Sequence, residues 1–501
     1  MLNPDDVAHL CRRTGFGATA QEVAFLAAEY ASLPALVDAL LADSRLAAAP
    51  VYASPPPAMS PPACASVEPY FETLAMGRWV LDRMKDARFV RSFVTTNGVR
   101  KKKKRKKLLR QRAAEEASRA SWPHPLREKM VLFWHGLLVS SLDKDLVYCH
   151  HSTLRAQNLL FREKGLGDFG ALLEATSVDP AMLYYLDNWI STKDNPNENY
   201  ARELLELFSL GVGSYSHADV VAAAQAGTGY TINPATGVDH VFYSPAHDYG
   251  DKTFDARTGN WDLVGRAGGA SSLDLVEHLV TANGKGQVAA RTLAKLLWQH
   301  FAHFTPAQSV VDQIASAALA SGRVNVTAAL RAIFTHAEFY GPAARTGKLK
   351  NPVEFVVTLL GALNLAAPYD AEQRLDVVQY LMSDMGIQLF HQPNVFGWWR
   401  RPETRWISLP AFQSKQLAAG YLALVAVQNA AHPLLAWVRG APDSGAAAMF
   451  SALGAPQPAG SPVLARAVRL LTDLRAAGAD DATTAIRAFQ FVASTPQVQT
   501  N

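Results

Sequence analysis

This sequence predicts a mainly α-helical globular body carrying one small β-hairpin. Three observations support that fold class. Apolar residues recur at helical intervals along most of the chain. Hydrophobic residues make up 49% of it against 18% charged, and only one stretch alternates like a pair of strands. At 501 residues the chain also exceeds the size at which a single core usually stops growing, so several subregions are expected.

Residues 5–47 carry apolar positions at helical spacing, and His9–Gly17 reads as a turn between helices. Prolines crowd Pro50–Pro62, at 55, 56, 57, 61 and 62, and no regular helix survives that density. The chain therefore divides into an N-terminal helical segment (1–49), a Pro-rich linker (50–63), a helical core (64–415) and a C-terminal helical region (416–501). Within the core, the charged turn Leu126–Lys129 leads into the apolar run Met130–Val139, which predicts a buried helix over Leu126–Ser140. Asn195 as cap, Pro196 in the first turn, Glu198 completing a capping box and Gly211 as terminator predict a second helix over Pro196–Leu210. Residues 227–243 alternate around Pro234-Ala-Thr-Gly237, the pattern of a hairpin. Helical periodicity returns at Leu273 and runs through much of 287–390. The Ala-rich C-terminal region reads as further helices split near Pro456–Pro462.

The formal net charge of +4 conceals a local run. Arg100–Arg112 holds ten of the 48 basic residues and no acid, so the remainder is mildly acidic. Its charges are consecutive rather than ranged on one helical stripe, so a solvated segment is expected and a nucleic-acid partner is not. Three scattered cysteines, Cys11, Cys64 and Cys149, suggest reduced thiols rather than a disulfide framework. No basic leader precedes a long apolar run, and no segment offers about 18 consecutive apolar residues, so a cytoplasmic chain without a membrane span is expected.

Familiar catalytic signatures are absent: no phosphate loop ending Gly-Lys-Ser/Thr, His-Glu-x-x-His helix or Gly-x-Ser-x-Gly elbow occurs. Chemistry must be sought among lone polar residues. Advancing 100° per residue places Glu198, Asn199, Arg202, Glu203, Glu206 and Ser209 on one arc of the predicted 196–210 helix. Glu203 and Glu206 could bind a divalent cation or divide acid and base roles, with Arg202 holding one ionised. Those residues could equally form ordinary i,i+4 ion pairs. His135, in an apolar helix, is either a ligand or a core histidine with a neutral ring. His247 and Asp248, just after the hairpin, could supply a metal-binding pair or a base with its orienting acid, or bond within a loop. Asn394–Arg401 and Trp406 combine tryptophans with arginines, which suits a ligand groove or a loop anchored on the core. Lys350–Phe355 reads as a helix entry, with Glu354 as a first-turn charge.

Six segments, His9–Gly17, Met130–Ser140, Asn197–Gly211, His247–Phe254, Lys350–Phe355 and Gly386–Ile407, together resemble the domain of unknown function 1800 family in chain order. The most specific is Asn197-Glu-Asn-Tyr-Ala-Arg-Glu-Leu-Leu-Glu-Leu-Phe-Ser-Leu-Gly211. The resemblance implies a mostly helical bacterial protein with no established activity or cofactor. Where many members look like Trp-His-Asn-His-Phe, this chain reads Trp134-His135-Gly136-Leu137-Leu138, which removes one histidine from any metal set. Two function classes follow. One is an enzyme whose site gathers Arg202, Glu203, Glu206, His247 and Asp248, with a divalent metal held by His135, His247 and Asp248. The other is a noncatalytic helical scaffold or binding partner of another protein.

Overall fold

The computed structural model describes residues 1–43, 46, 68–87, 124–258, 270–365, 377–398 and 406–500. The run Arg100–Arg112, the linker Pro50–Pro62 and residues 399–405 lie outside them. The architecture is mainly α with one antiparallel hairpin, in which Tyr230–Ile232 pairs with His240–Phe242 in the register Tyr230↔Phe242 and Ile232↔His240.

Helix Pro4–Thr14 begins on the Asn3 side chain, and Ala20–Glu29 on a Thr19–Glu22 capping box. His9–Thr14 is thus helical, and the turn falls at residues 15–19, later than the sequence suggested. Helix Pro125–His135 lies wholly inside the molecule, with every residue buried, Arg127, Glu128 and Lys129 included. It stops at Gly136, whose N–H bonds back to Leu132 and Phe133, so the expected helix ends five residues short of Ser140. Leu137–Ser140 remain buried without being helical. A helix hydrophobic on all sides sits between packing layers. Accordingly Phe133 and Trp134 join one apolar cluster, with helices Gly286–Phe301 and Val326–Thr335, while Leu132 joins a second, with Pro352–Ala362 and the C-terminal helices.

The C-terminal region forms Leu409–Val427, Pro433–Arg439, Pro442–Ala452, Pro462–Ala476 and Asp481–Ala493, with the break at Pro456–Pro462 where the prolines fall. Among the described residues no single helix is long and apolar enough to cross a membrane. Ala20–Glu29 and Leu33–Leu41 reach that length only jointly, across a bend of 107°. Cys11 is buried and free, whereas Cys149 is disulfide-bonded, which corrects the expectation of three reduced thiols.

Candidate functional site

The segment that most resembles the family is not one regular helix. An α-helix over Glu198–Glu203 passes into a π-helix over Leu204–Ser209. Its start is also later than expected. Thr192 and Asn195 form an isolated bridge and Lys193 N–H bonds to Ala246 O, so the cap passes to Asn197, whose side chain accepts from Asn199 N–H at 2.8 Å. Asn197 also donates to Leu186 O, and its backbone N–H donates to Ser191 Oγ. At the other end Leu210 N–H reaches Leu205 O, five residues back, and Thr292 Oγ1 takes the Leu210 carbonyl. A π turn advances each residue by less than an α turn, so the expected arc does not persist. Ser209 is buried and donates to Leu204 O at 2.6 Å. Single π turns within α-helices recur at functional sites, which marks this one for scrutiny.

Arg202, Glu203 and Glu206 do gather. All three lie within electrostatic reach of Tyr215, whose hydroxyl donates to Glu206 Oε2. Burial and the Glu206 carboxylate together push that phenol up to about 12. Glu203 and Asp143 add to the burial that raises Tyr185, also to about 12. Arg202 pairs with Glu198 at 3.4 Å, and His217 approaches the same carboxylate at 3.7 Å. Both partners of the Arg202 pair are about two-fifths exposed, so the pair contributes a few tenths of a kcal/mol.

His247 and Asp248 have partners of their own. Thr228 Oγ1 donates to Gln225 O, so it cannot also donate to the histidine. Nδ1–H of His247 therefore donates to Thr228 O at 2.8 Å, with Thr228 Oγ1 a longer second acceptor. This fixes the tautomer and leaves Nε2 without a hydrogen-bond partner among the described residues. Gly229 (φ +87°) permits the approach, because a Cβ there would stand 2.9 Å from His247 Cβ. Asp248 does not orient the ring. Its Oδ1 accepts from Gly250 N–H at 2.7 Å and faces the buried Lys252 Nζ at 3.3 Å, while that ammonium also donates to two loop carbonyls. Neither Arg202 nor Glu206 is bonded to His247 or Asp248.

His135 is a core histidine in its bonding. Nε2 accepts from Phe390 N–H and from Gln392 Nε2, both at 3.1 Å, and Gln392 donates to His135 O as well. Its ring packs on Phe390 and Trp398, and burial pushes its pKa down to about 3. Among the described residues no three His, Cys, Asp or Glu side chains are grouped to hold a metal ion. Trp398 and Trp406 are buried anchors of the second cluster.

The family described as "Protein of unknown function (DUF1800)" matches residues 9–500, nearly the whole chain. The chain belongs to the DUF1800 family. No curated protein and no solved structure matches it. Its family segments can therefore be interpreted only by what their residues touch, and two buried charge clusters stand out that the sequence reading passed over. Glu128 receives Arg162 and Arg83, and Glu354 receives Lys129 while completing the capping box of Asn351. The one available signal was charge set without a spacer against an all-apolar helix.

Proposed function

We propose that this DUF1800 chain is a helical scaffold that binds a ligand or partner, with its family segments serving to build the fold. One observation carries the reading: at Glu206, Arg202, Asp248, His135 and His247, positions singled out for chemistry, a neighbour in the fold engages the side chain. Tyr215 takes Glu206, Glu198 takes Arg202, Lys252 takes Asp248, Phe390 and Gln392 take His135, and Thr228 takes one nitrogen of His247. The division at residues 49, 63 and 415 stays part of this proposal. His135→Leu should cost about 1–3 kcal/mol, because the buried Phe390 N–H loses its acceptor. Metal analysis of purified full-length protein should find no stoichiometric divalent ion. A stoichiometric ion that His247→Asn removes while the thermal midpoint holds would overturn the scaffold reading.

A second reading, an acid–base or metal site around His247, rests on its unshared Nε2. An imidazole with Nδ1–H held by a carbonyl and Nε2 open is set to accept a proton or bind a metal. Both histidines are about 3% exposed, so diethyl pyrocarbonate near neutral pH should label His247 slowly, through its unshared Nε2, and spare His135, whose Nε2 is taken by Phe390 and Gln392. A folded protein that resists labelling at His247 would remove this second reading.

A further inference from the structure

The end of the first helix, the loop after it, helix Pro352–Ala362 and the turn after Ala452 line a cleft with about 50 Å³ of interior room, open to solvent at its mouth. That exceeds the roughly 10–15 Å³ that a single water needs on the same measure. Its wall carries three cations, Arg12, Lys85 and Lys350, and no carboxylate. Two family segments that lie far apart in sequence, His9–Gly17 and Lys350–Phe355, meet here.

These charges are poorly compensated. Arg12 makes no hydrogen bond or ion pair with any described residue, though burial and neighbouring Arg345 both work against its charge. Lys350 is buried and gives one N–H to Val498 O at 2.6 Å. Burial, then Arg12, pushes its ammonium down to about 7. The carboxylate within its reach, Glu354, is already committed to Lys129 and to Asn351 N–H. Lys85 pairs with acids on its own helix, Asp86 at 3.2 Å and Asp82 at 3.9 Å, while Asp5 favours the Arg12 charge without pairing with it. The backbone N–H groups of Gly17 and Ala18, in the same wall, donate to no acceptor among the described residues. Gly17 has φ +106° and open space where a Cβ would stand, so it serves the turn rather than close packing.

Like charges gathered in a partly buried cavity repel, and leaving them uncompensated is costly. An anion at their centre reverses the sign of every one of these terms. An arginine fork, two ammonium groups and free loop amides match the oxygens of a dianion. Phe16, Val357 and Leu453 line the same cavity and offer apolar contact to whatever carries the charge. We propose that this cavity binds a phosphate monoester, with Arg12 and Lys350 holding the phosphate, Lys85 at its rim, and Phe16 and Leu453 against the organic group. The proposal is independent of the scaffold reading, which it supplies with a ligand class.

The test is calorimetric titration of the full chain at constant ionic strength with inorganic phosphate and with phenyl phosphate. One site is expected, tighter for phenyl phosphate because of the apolar wall. Arg12→Gln and Lys85→Gln should each weaken binding about 10- to 100-fold, the effect of losing a charge-assisted hydrogen bond. Phenyl phosphate should raise the thermal midpoint of the wild type and not that of Arg12→Gln. Arg12→Gln alone should keep the wild-type midpoint, since Arg12 has no hydrogen bond or ion pair to lose among the described residues. Should it unfold, Lys85→Gln decides. Absence of saturable binding, wild-type affinity in both variants, or binding only to vesicles containing phosphatidic acid would overturn the proposal.

Discussion

Glu128→Gln is expected to destabilise the folded chain by about 3–5 kcal/mol, the usual consequence of removing one partner from a buried ion cluster. Glu128 is fully buried and accepts from Arg162 Nη2 at 2.9 Å and Nε at 3.1 Å, and from Arg83 Nε and Nη2 at 3.1 Å. Both guanidiniums also pack over the Trp79 ring, at 4.7 and 5.0 Å, so neither can swing out to water without giving up that contact. Glutamine keeps the volume and removes the charge, leaving two cations buried. Burial by itself would raise the Glu128 pKa, but the two arginines outweigh it and hold the group below the ordinary carboxylate range. A depressed folded-state value means stability that is present above the unfolded value and lost as pH falls through the folded one. The acid side of the wild-type stability profile should therefore be steeper than that of Glu128→Gln. Denaturant midpoints measure both effects. A loss under about 1 kcal/mol would show the cluster to be wetter than its burial implies. Glu128→Leu with both Arg162→Met and Arg83→Met should recover most of the loss, since apolar replacement of a whole buried ion cluster is often neutral.

The same cluster shows where the sequence stopped being informative. Arg127, Glu128 and Lys129 read as the charged first turn of a buried helix, with nothing in the sequence to say what would neutralise the charges. Their partners Arg83, Arg162 and Glu354 are 34 or more residues away, and no local pattern connects them. Elements whose cause is local were legible: the helix entry at Lys350–Phe355, the hairpin around residues 234–237, and the stop at Gly211. The π turn at Leu204–Ser209 was not, since its i−5 bonds compete closely with i−4 bonds and context decides, including Thr292 on the Leu210 carbonyl. The same applies to the site. Periodicity assumed one regular helix through Arg202, Glu203 and Glu206, and it could not show that Tyr215 would occupy Glu206, or that Lys252 rather than His247 would face Asp248. Nor could it show Arg12 meeting Lys350, a juxtaposition made only by the tertiary fold.

Gly397→Ala should be among the most damaging single substitutions in the chain, costing on the order of 4 kcal/mol. Gly397 has φ +61°, and a Cβ there would stand 1.9 Å from the Gly136 carbonyl oxygen and 3.0 Å from Val139 Cγ2. The first contact is with backbone at the end of helix Pro125–His135, which cannot rotate away as a side chain could. Left-handed backbone costs a non-glycine residue about 1–3 kcal/mol by itself, so strain must be separated from collision. Gly213 provides the control: it has φ +86° with nothing within 4 Å of the built Cβ, and Gly213→Ala should show strain alone. The difference between the two variants is the value of the close approach. That approach matters because the Gln388–Trp398 loop is what engages His135, through Gln392 on its ring nitrogen and carbonyl and through Trp398 against its face at 5.3 Å. Gly397→Ala should therefore alter near-ultraviolet circular dichroism, by loosening Trp398, before it alters helix content. Equal losses in Gly397→Ala and Gly213→Ala, with the aromatic signal intact, would mean that the loop does not press on Gly136 and that His135 is held by other contacts.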